Sequence, residues 1–419
     1  MRIPAEIERL ARRAVEAVDA EFAVSLTRDL VRIPSVYRPD VPAATEKAVA
    51  LFLAGVLEGL GMRVAVEEAA PGRPNVVGDW QCAPGGPLLI LEGHTDVVTE
   101  GDPAAWTHPP FEGVVVDGRL YGRGAADMKG GLAAAVTAVK ALRDAGIEIP
   151  GTIRLAVVVD EEGMMAGIKD FIRRGWARGA AAALICEPEE NEVCLCQKGA
   201  IRALARFRGR MAHGAMPREG VNPLFSVAEF LLGVRDLDRM LVERHGVHDL
   251  LGCPSATPTI VRAPDRGEAQ LNVLPGDALV ALDLRTIPGM THEAVVVEMQ
   301  ALLERIRARH PGVQSALEVI EERPWTQTPR EAPLVRAVEA ACEMVTGRPP
   351  RHGGVPGSTD GTFLHAWAGV PIVTIGPGNR TIPHQVDEYV EVEELVTAAR
   401  IYAASAILFL GAMAENGGA

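Results

Sequence analysis

Hydrophobic side chains follow two different patterns along the first and last parts of the chain. In residues 48–62 the apolar positions recur with helical spacing, and the first 65 residues as a whole are predicted to be helical. Four later runs are short and continuously apolar, as buried strands are: 87–93, 152–159, 181–186 and 370–376. Helices are predicted at 130–146 and 393–410. Apolar strands that alternate with helices predict an α/β domain with a mixed, mostly parallel sheet covered on both faces.

The middle of the chain has a different pattern. Residues 201–209 alternate apolar with charged side chains, which favours a strand with one face exposed to water. The elements predicted after it are a helix at 222–244, strands near 257–262 and at 278–285, and a helix at 291–309. We therefore expect an inserted α+β domain at 197–325, which divides the first domain into 1–196 and 326–419.

Composition narrows the class of protein. The chain has 419 residues, of which 48% are hydrophobic and 23% charged, and its formal net charge is -13. A soluble protein of more than one domain fits these values, whereas a nucleic-acid binder or an anionic-membrane binder would need a basic face. No signal-like segment opens the sequence, and no run approaches the roughly 20 apolar residues of a membrane span. We expect a cytoplasmic protein that binds neither nucleic acid nor membrane.

Polar residues follow the predicted strands of the first domain. They are His94, Asp96, Asp160, Glu161, Glu162 and Glu187, with His384 further along and Asp127 in a loop before a helix. In open α/β sheets, ligands bind at the carboxyl ends of the strands, so we expect these side chains to meet at one edge. Imidazole and carboxylate are the ligands of zinc, and also of cobalt or manganese. Five such groups suffice for two ions that share one carboxylate.

Two further roles follow from position. Asp96 lies two residues after His94 and can bind the imidazole nitrogen that does not face the metal. In the pair Glu161 and Glu162, neighbouring side chains point in different directions. One of them can therefore bind metal while the other acts as a general base.

Longer motifs carry a resemblance to a known family. They include GHTDVV (93–98), GRGAADMKGG (122–131), DEEGMMAG (160–167), CEPEE (186–190), AHGAMPREGVNP (212–223) and GPGNRTIPHQVDEY (376–389). In this order the chain resembles the M20 family of metallopeptidases and deacylases over nearly its whole length. The resemblance implies a zinc-aminopeptidase-like catalytic domain and an inserted ferredoxin-like domain that serves as lid and dimerisation surface, so we expect a homodimer.

The resemblance also implies roles for individual residues. Asp127 matches the bridging ligand, His94 and Glu187 the ligands of one metal, and Glu162 and His384 those of the other. Glu161 matches the general base and Asp96 the residue that orients His94. His213 matches a histidine that reaches the partner subunit's active site and stabilises the oxyanion. The residues matched to substrate binding are Asn272, Arg285, Ser358, Thr359 and Asp360.

These assignments predict a two-metal, zinc-dependent amide hydrolase that removes an N-acyl group from an amino-acid-like substrate. A metallo-carboxypeptidase or dipeptidase acting on a short peptide would use the same central residues. A non-catalytic homologue that binds amino acids or peptides is the alternative from another class, although it would usually have lost a ligand or the base. Arg285 also has a structural alternative, since it could pair with Asp283 or Asp265.

Overall fold

The computed structural model describes residues 3–38, 41 and 45–416. The chain folds into two compact units. The first contains Met1–Cys196, Gln327–Val355 and Thr359–Ala419, and the second contains Gln197–Thr326 and Pro356–Ser358. The limits expected from the sequence, 197 and 325, differ from those of the main segment of the second unit by at most one residue. Residues 356–358 differ, since they group with the second unit rather than the first.

The described residues form ten α-helices. They are α1 (Ala5–Glu16), α2 (Ala20–Val31), α3 (Lys47–Gly59), α4 (Gly130–Asp144), α5 (Ala166–Arg173), α6 (Leu224–His245), α7 (His292–Arg309), α8 (Pro333–Thr346), α9 (Gly361–Ala368) and α10 (Val392–Asn416). All except α6 and α7 belong to the first unit.

The strands of the described chain are β1 (Arg63–Ala70), β2 (Arg73–His94), β3 (Val114–Val116), β4 (Arg119–Tyr121), β5 (Pro150–Val158), β6 (Ala180–Ile185), β7 (Val193–Gln197), β8 (Gly199–Arg208), β9 (Ala212–His213), β10 (Ser255–Arg262), β11 (Val273–Leu274), β12 (Asp277–Thr286), β13 (Gln314–Arg323), β14 (Thr326–Gln327), β15 (His352–Val355), β16 (Ile372–Thr374) and β17 (Tyr389–Glu391). Strands β3, β4 and β17 form a small separate sheet.

The main sheet has eight strands, with the order β1-β2-β6-β16-β7-β14, while β5 pairs with β2 and β15 with β7. Strand β2 folds back on itself around β5. Its first half runs antiparallel to β5, with Val76 opposite Val157, whereas its second half runs parallel, with His94 opposite Val158. Gly85 and Gly86 allow this reversal because both have positive φ, at 80° and 76°.

Parallel strands bring their carboxyl ends to one edge of this sheet. The second half of β2 is parallel to β5 and to β6, and β6 is parallel to β16. Helix α4 packs closely on the sheet, since a Cβ added at Gly131 would lie 1.9 Å from the backbone oxygen of Cys186. The absence of a side chain at residue 131 therefore lets the helix approach the end of β6, next to Glu187.

Helix α10 is both long and strongly apolar. By length and composition, Val392–Ala414 could cross a membrane, so the prediction that no such run exists was wrong. However, 89% of its most apolar stretch is buried inside the protein, and α10 packs against α1, α4 and α8. Its composition is that of a core helix, which is apolar on all sides because it is covered on all sides.

The second unit is built as β8-α6-β10-β12-α7-β13, with the short strands β9 and β11 pairing beside it. Its sheet has the order β10-β12-β8-β13, and all three pairings are antiparallel. This is the βαββαβ arrangement of ferredoxin-like domains. The predicted fold class, a mixed α/β sheet domain with an inserted α+β domain, is confirmed.

Candidate active site

Three predicted ligands from separate segments meet at the carboxyl edge of the main sheet. His94 ends β2, Glu187 follows β6, and Asp127 lies in the loop before α4. The Nε2 atom of His94 lies 3.1 Å from Oδ1 of Asp127 and 3.6 Å from Oε1 of Glu187. His94 is fully buried, so its ring has one fixed environment. One ligand atom from each residue falls within 4.8 Å of the others, which is compact enough to hold a metal ion.

A second group of three shares Asp127 with the first. Nε2 of His384 lies 2.8 Å from Oε1 of Glu162 and 3.5 Å from Oδ2 of Asp127. Asp127 therefore presents one carboxylate oxygen to each imidazole. His384 has a left-handed backbone conformation, with φ of 66°, and its side chain is 52% exposed, so this half of the site is the more open one.

Asp96 connects His94 to the loop that carries the acidic pair. The Nδ1 atom of His94 lies 2.9 Å from the backbone oxygen of Asp96 and 3.5 Å from its Oδ1. The Asp96 carboxylate accepts hydrogen bonds from the backbone N–H groups of Glu161 at 3.1 Å and Glu162 at 3.0 Å. Asp96 thus fixes the imidazole mainly through its main chain, while its carboxylate fixes the acidic loop.

Glu161 and Glu162 occupy different positions, as expected for neighbours. Glu162 contacts His384 and belongs to the second ligand group. Glu161 is only 7% exposed and belongs to neither group. The role of Glu161 as general base stays a prediction.

The charges of the two imidazoles depend on the carboxylates around them. Burial opposes the charged form of His94, but hydrogen bonds to Asp127 and Asp96 outweigh it and hold its pKa well above the usual value. Hydrogen bonds to Asp127 and Glu162 raise the pKa of His384 to about 10. In the absence of a metal ion, these raised pKa values favour the doubly protonated, positively charged form of both rings.

The carboxylates respond in two ways. Burial disfavours the ionised form of Asp127, but its hydrogen bonds to both imidazoles dominate and lower its pKa. Burial, followed by the charge of Asp127, raises the pKa of Glu187 and of Glu162. The carboxylates of Asp127, Glu162 and Glu187 thus surround two imidazoles, whose positive charge comes from their protons. The donor set and this excess of negative charge fit two divalent cations in place of the protons.

Glu388 supports the loop that carries Asp127. Its Oε1 accepts hydrogen bonds from the backbone N–H groups of Ala126 at 3.0 Å and Asp127 at 3.1 Å, and its other oxygen pairs with Arg123. Glu388 and Arg123 are 1% and 2% exposed. Glu388 lies four residues after His384. Its carboxylate therefore connects the segment that carries His384 to the loop that carries Asp127.

Lys129 anchors the same loop from the other side. Its Nζ donates to the backbone oxygens of Leu30, at 2.9 Å, and Ile33, at 2.8 Å, near the end of α2. Complete burial lowers the pKa of this amine to about 7. Glu388 therefore binds the main chain of Asp127 directly, while Lys129 ties the end of the same loop to the segment after α2.

The acidic loop has its own buried support. Arg73 donates from Nη1 to Asp160 at 2.7 Å and from Nε to Glu46 at 2.9 Å. The other oxygen of Asp160 accepts two backbone N–H groups from later in the loop, at 3.1 and 3.2 Å. This network fixes the turn that begins at Asp160 and contains Glu161 and Glu162.

His213, predicted to stabilise the oxyanion, and Asn272, predicted to bind substrate, lie beside each other in the second unit. His213 in β9 pairs with Val273 in β11, and the backbone oxygen of Asn272 accepts a hydrogen bond from Gly214 at 2.7 Å. Both side chains are exposed. Their roles toward substrate stay predictions.

The remaining substrate residues have local partners. Arg285 donates to both oxygens of Asp283, at 2.6 and 3.1 Å, so of its two possible partners Asp283 is the one it binds. Ser358 donates to the backbone oxygen of Lys198 at 2.6 Å, and Thr359 accepts from the N–H of Gly361 at 3.2 Å. A role for Arg285 in binding a carboxylate would require that it exchange partners.

The sequence did not indicate the supporting residues Glu388, Arg123, Lys129 and Arg73. Three of them lie inside the quoted motifs, at positions 123, 129 and 388. A charged residue in a loop is usually exposed, and no pattern in the sequence indicates that these are buried. Their position inside motifs that supply ligands was the available signal.

Binding of zinc should release protons. Ligation needs neutral imidazoles, whereas the elevated pKa values of His94 and His384 keep both protonated at pH 7. We expect the calorimetric heat of zinc binding to depend on the ionisation enthalpy of the buffer, and the apparent affinity to rise between pH 6 and pH 8. Zinc binding to the His384→Ala variant should release fewer protons than zinc binding to the wild type. The control variant His245→Ala, at the end of α6, should release as many as the wild type. A heat that is independent of buffer would contradict protonation of both imidazoles in the metal-free protein.

Glu388→Gln should weaken zinc binding by about 10- to 100-fold, as loss of a buried residue that supports metal ligands generally does. The variant keeps an acceptor for the two N–H groups but leaves the buried Arg123 without its opposite charge. Zinc affinity is measured by competition with a chelator. Glu391→Gln is the matched control, because Glu391 forms a partly exposed ion pair with Arg119 only three residues further on. A folded Glu388→Gln protein with zinc affinity within twofold of wild type would refute this role.

Comparison with known proteins covers nearly the whole chain. A model of peptidase family M20/M25/M40 matches residues 90–407. The succinyl-diaminopimelate desuccinylase of Halorhodospira halophila (strain DSM 244 / SL1) is 33% identical over 398 residues, covering 90% of this chain and 96% of the relative.

Solved structures share the fold. The di-peptidase Dug1p from Saccharomyces cerevisiae has a TM-score of 0.76 at 16% identity, covering 96% of this chain and 98% of that chain. The Bacillus subtilis YXEP protein, described as a dinuclear metal-binding peptidase from the M20 family, has a TM-score of 0.70 at 17% identity, covering 93% of this chain and 98% of that chain.

The resemblance carried by the motifs is confirmed. The family model spans more than half of the chain, and the desuccinylase relative is similar over almost all of it. The solved structures, each below 20% identity, support the fold alone. The chain is a hydrolase that belongs to peptidase family M20/M25/M40.

Proposed function

We propose that the protein is a two-metal amide hydrolase that removes an N-acyl group from an amino-acid-like substrate. The observation that carries the proposal is the pair of histidine–carboxylate groups that share Asp127, with the buried Glu161 beside them. Similarity to a desuccinylase supports a deacylase, and similarity to a dinuclear metal-binding peptidase supports two ions.

His94, Asp127 and Glu187 would hold one ion, and Asp127, Glu162 and His384 the other. Nitrogen and oxygen donors in sets of three suit zinc and leave a position open for a reacting molecule, although cobalt or manganese accept the same donors. When bound, such ions polarise an amide carbonyl and make a water molecule more acidic at neutral pH.

The chain's own residues then handle the proton. Glu161 accepts it from the attacking water and returns it to the nitrogen of the leaving amine. The Asp96 carboxylate accepts a hydrogen bond from the backbone N–H of Glu161 at 3.1 Å. This contact keeps the base in the same position in every cycle. The low exposure of Glu161 excludes bulk water from that transfer.

The substrate's free carboxylate is assigned to the second unit. Arg285 offers a planar guanidinium that binds carboxylates at two points, and Asn272 offers an amide. The substrate would displace Asp283 from Arg285. We assign the oxyanion to His213 of a partner subunit, which makes the active form a homodimer and the inserted unit its lid and dimerisation domain. Ser358 and Thr359 complete the substrate-binding set.

Cleavage of a short peptide is the second candidate, favoured by the shared fold of the di-peptidase from yeast. Both reactions break an amide bond and need the same ions and the same base. They differ in what the site accepts on either side of that bond.

A substrate panel tests the proposed function. The metal-free protein, and the protein loaded with zinc, cobalt or manganese, are offered N-acyl amino acids and dipeptides, and amine release is measured. We expect metal-dependent hydrolysis with the N-acyl amino acids as the better substrates. Faster cleavage of dipeptides would support the second candidate, and no hydrolysis by any metal-loaded form would count against both.

Glu161→Gln should lower kcat by about 10²–10⁴-fold, because the amide cannot accept the proton. The two metal ions should stay bound, since Glu161 belongs to neither ligand group. Turnover is measured together with metal content by elemental analysis. Glu58→Gln, on the exposed face of α3, is the control for the same chemical change. More than about a tenth of the wild-type rate in Glu161→Gln would exclude the general-base role.

A further inference from the structure

A cavity of about 610 Å³ opens in the first unit beside the candidate metal ligands. Its lining includes the ligand Glu162 and also Asp96, so a molecule in the cavity would adjoin the second ligand group. The other lining residues include Val36–Arg38, which follow α2, and Val97–Thr99, which follow Asp96. The size suits a group of several carbon atoms rather than an acetyl group alone.

The positive charges of this cavity are already paired. Among its described lining residues the cations are Arg38 and Arg73. Arg73 donates to Glu46 and to Asp160, and its side chain is only 7% exposed. Arg38 donates to both oxygens of Glu100, at 2.7 and 2.6 Å. Each of these cations is thus already balanced by a carboxylate, and a further carboxylate in the cavity would also adjoin Asp96, Asp160 and Glu162.

The wall of the cavity is largely apolar. Val36 and Val97 form a bridge between their segments and are almost completely buried, with Val98 next to them. The Tyr37 ring lies over the guanidinium of Arg73 at 3.7 Å and is nevertheless 45% exposed. An exposed aromatic ring is common on protein surfaces, but here it forms part of a cavity that touches a metal ligand. It offers a flat apolar surface to a bound group.

We propose that this cavity is the acyl-group subsite and that it accepts an uncharged, apolar acyl chain. The inference rests on the proposed function, in which Asn272 and Arg285 take the carboxylate of the amine half and leave the acyl half for the first unit. The acyl chain lies between Tyr37 and Val98, with its carbonyl toward Glu162. A succinyl group, which ends in a carboxylate, meets paired cations and acidic neighbours and is disfavoured.

Two acyl groups of the same shape test the charge of the preferred chain. A 4-methylpentanoyl group has an isopropyl end where succinyl has a carboxylate. Both are attached to L-alanine and offered to the zinc-loaded protein, with N-acetyl-L-alanine as the reference. We expect kcat/KM for the 4-methylpentanoyl substrate to exceed that for the succinyl substrate by at least about tenfold. An equal or higher value for the succinyl substrate would overturn the proposal.

Variants assign the preference to this cavity. Tyr37→Ala should lower the ratio of kcat/KM for 4-methylpentanoyl over acetyl by about fivefold, since an apolar contact face is lost. Leu51→Ala, which removes a half-exposed side chain of α3 outside the cavity, should leave the ratio unchanged. Glu100→Gln releases Arg38 and should shift the preference toward succinyl. An unchanged ratio in Tyr37→Ala would place the acyl chain elsewhere and refute the assignment.

A binding measurement separates this inference from the proposed function. The free acids 4-methylpentanoate and succinate are titrated into the zinc-loaded protein by calorimetry, which requires no turnover. Tighter binding of 4-methylpentanoate, reduced in Tyr37→Ala, supports the subsite whether or not any N-acyl amino acid is hydrolysed. A lack of hydrolysis would refute only the proposed function. Tighter binding of succinate overturns the subsite even if hydrolysis occurs.

Discussion

The carboxylate of Asp127 is the interaction on which the site depends, because it faces both imidazoles at once. One oxygen near each ring forces the segments that carry His94 and His384 to converge on the same loop. Two buried charged side chains support that loop: Glu388 accepts the N–H groups of Ala126 and Asp127, and Lys129 binds the end of α2. Their burial is costly unless each is paired, and each has partners. The buried charges of Glu388 and Lys129 thus serve to position one carboxylate, that of Asp127.

The fold could be predicted where one physical rule dominated. Strands buried on both faces are continuously apolar, so β5, β6 and the second half of β2 were visible as short apolar runs, and their parallel order set the edge for ligands. The first part of the sheet was not visible. Residues 63–83 form β1 and the first half of β2, so the helical prediction was wrong for 63–65, and the mixed polar pattern of 66–83 did not indicate a strand. The reversal of β2 around β5 also depends on long-range pairing, which no local pattern encodes.

The site was predictable to a similar depth. All five ligand candidates meet in two groups. They could be identified because the order of the motifs and the ends of the apolar runs are recognisable in the sequence. What the sequence could not supply was the environment of each charge. Nothing local indicates that Arg123 is buried against Glu388, or that Arg285 binds Asp283 rather than Asp265. The orienting role of Asp96 was expected from its carboxylate, whereas the shorter contact to His94 comes from its backbone oxygen. The first depends on a contact between distant segments, and the other two depend on local side-chain and backbone geometry that the sequence pattern does not encode.

Strand β16 has a consequence for how the protein is made. It lies between β6 and β7 in the main sheet, although its residues, Ile372–Thr374, follow the whole inserted unit in the chain. As the polypeptide leaves the ribosome, β6 and β7 emerge long before the strand that separates them. The place of β16 in the sheet stays unfilled until residues 372–374 have been synthesised. His384 follows that strand, so the two candidate ligand groups cannot both assemble before residue 384 has left the ribosome.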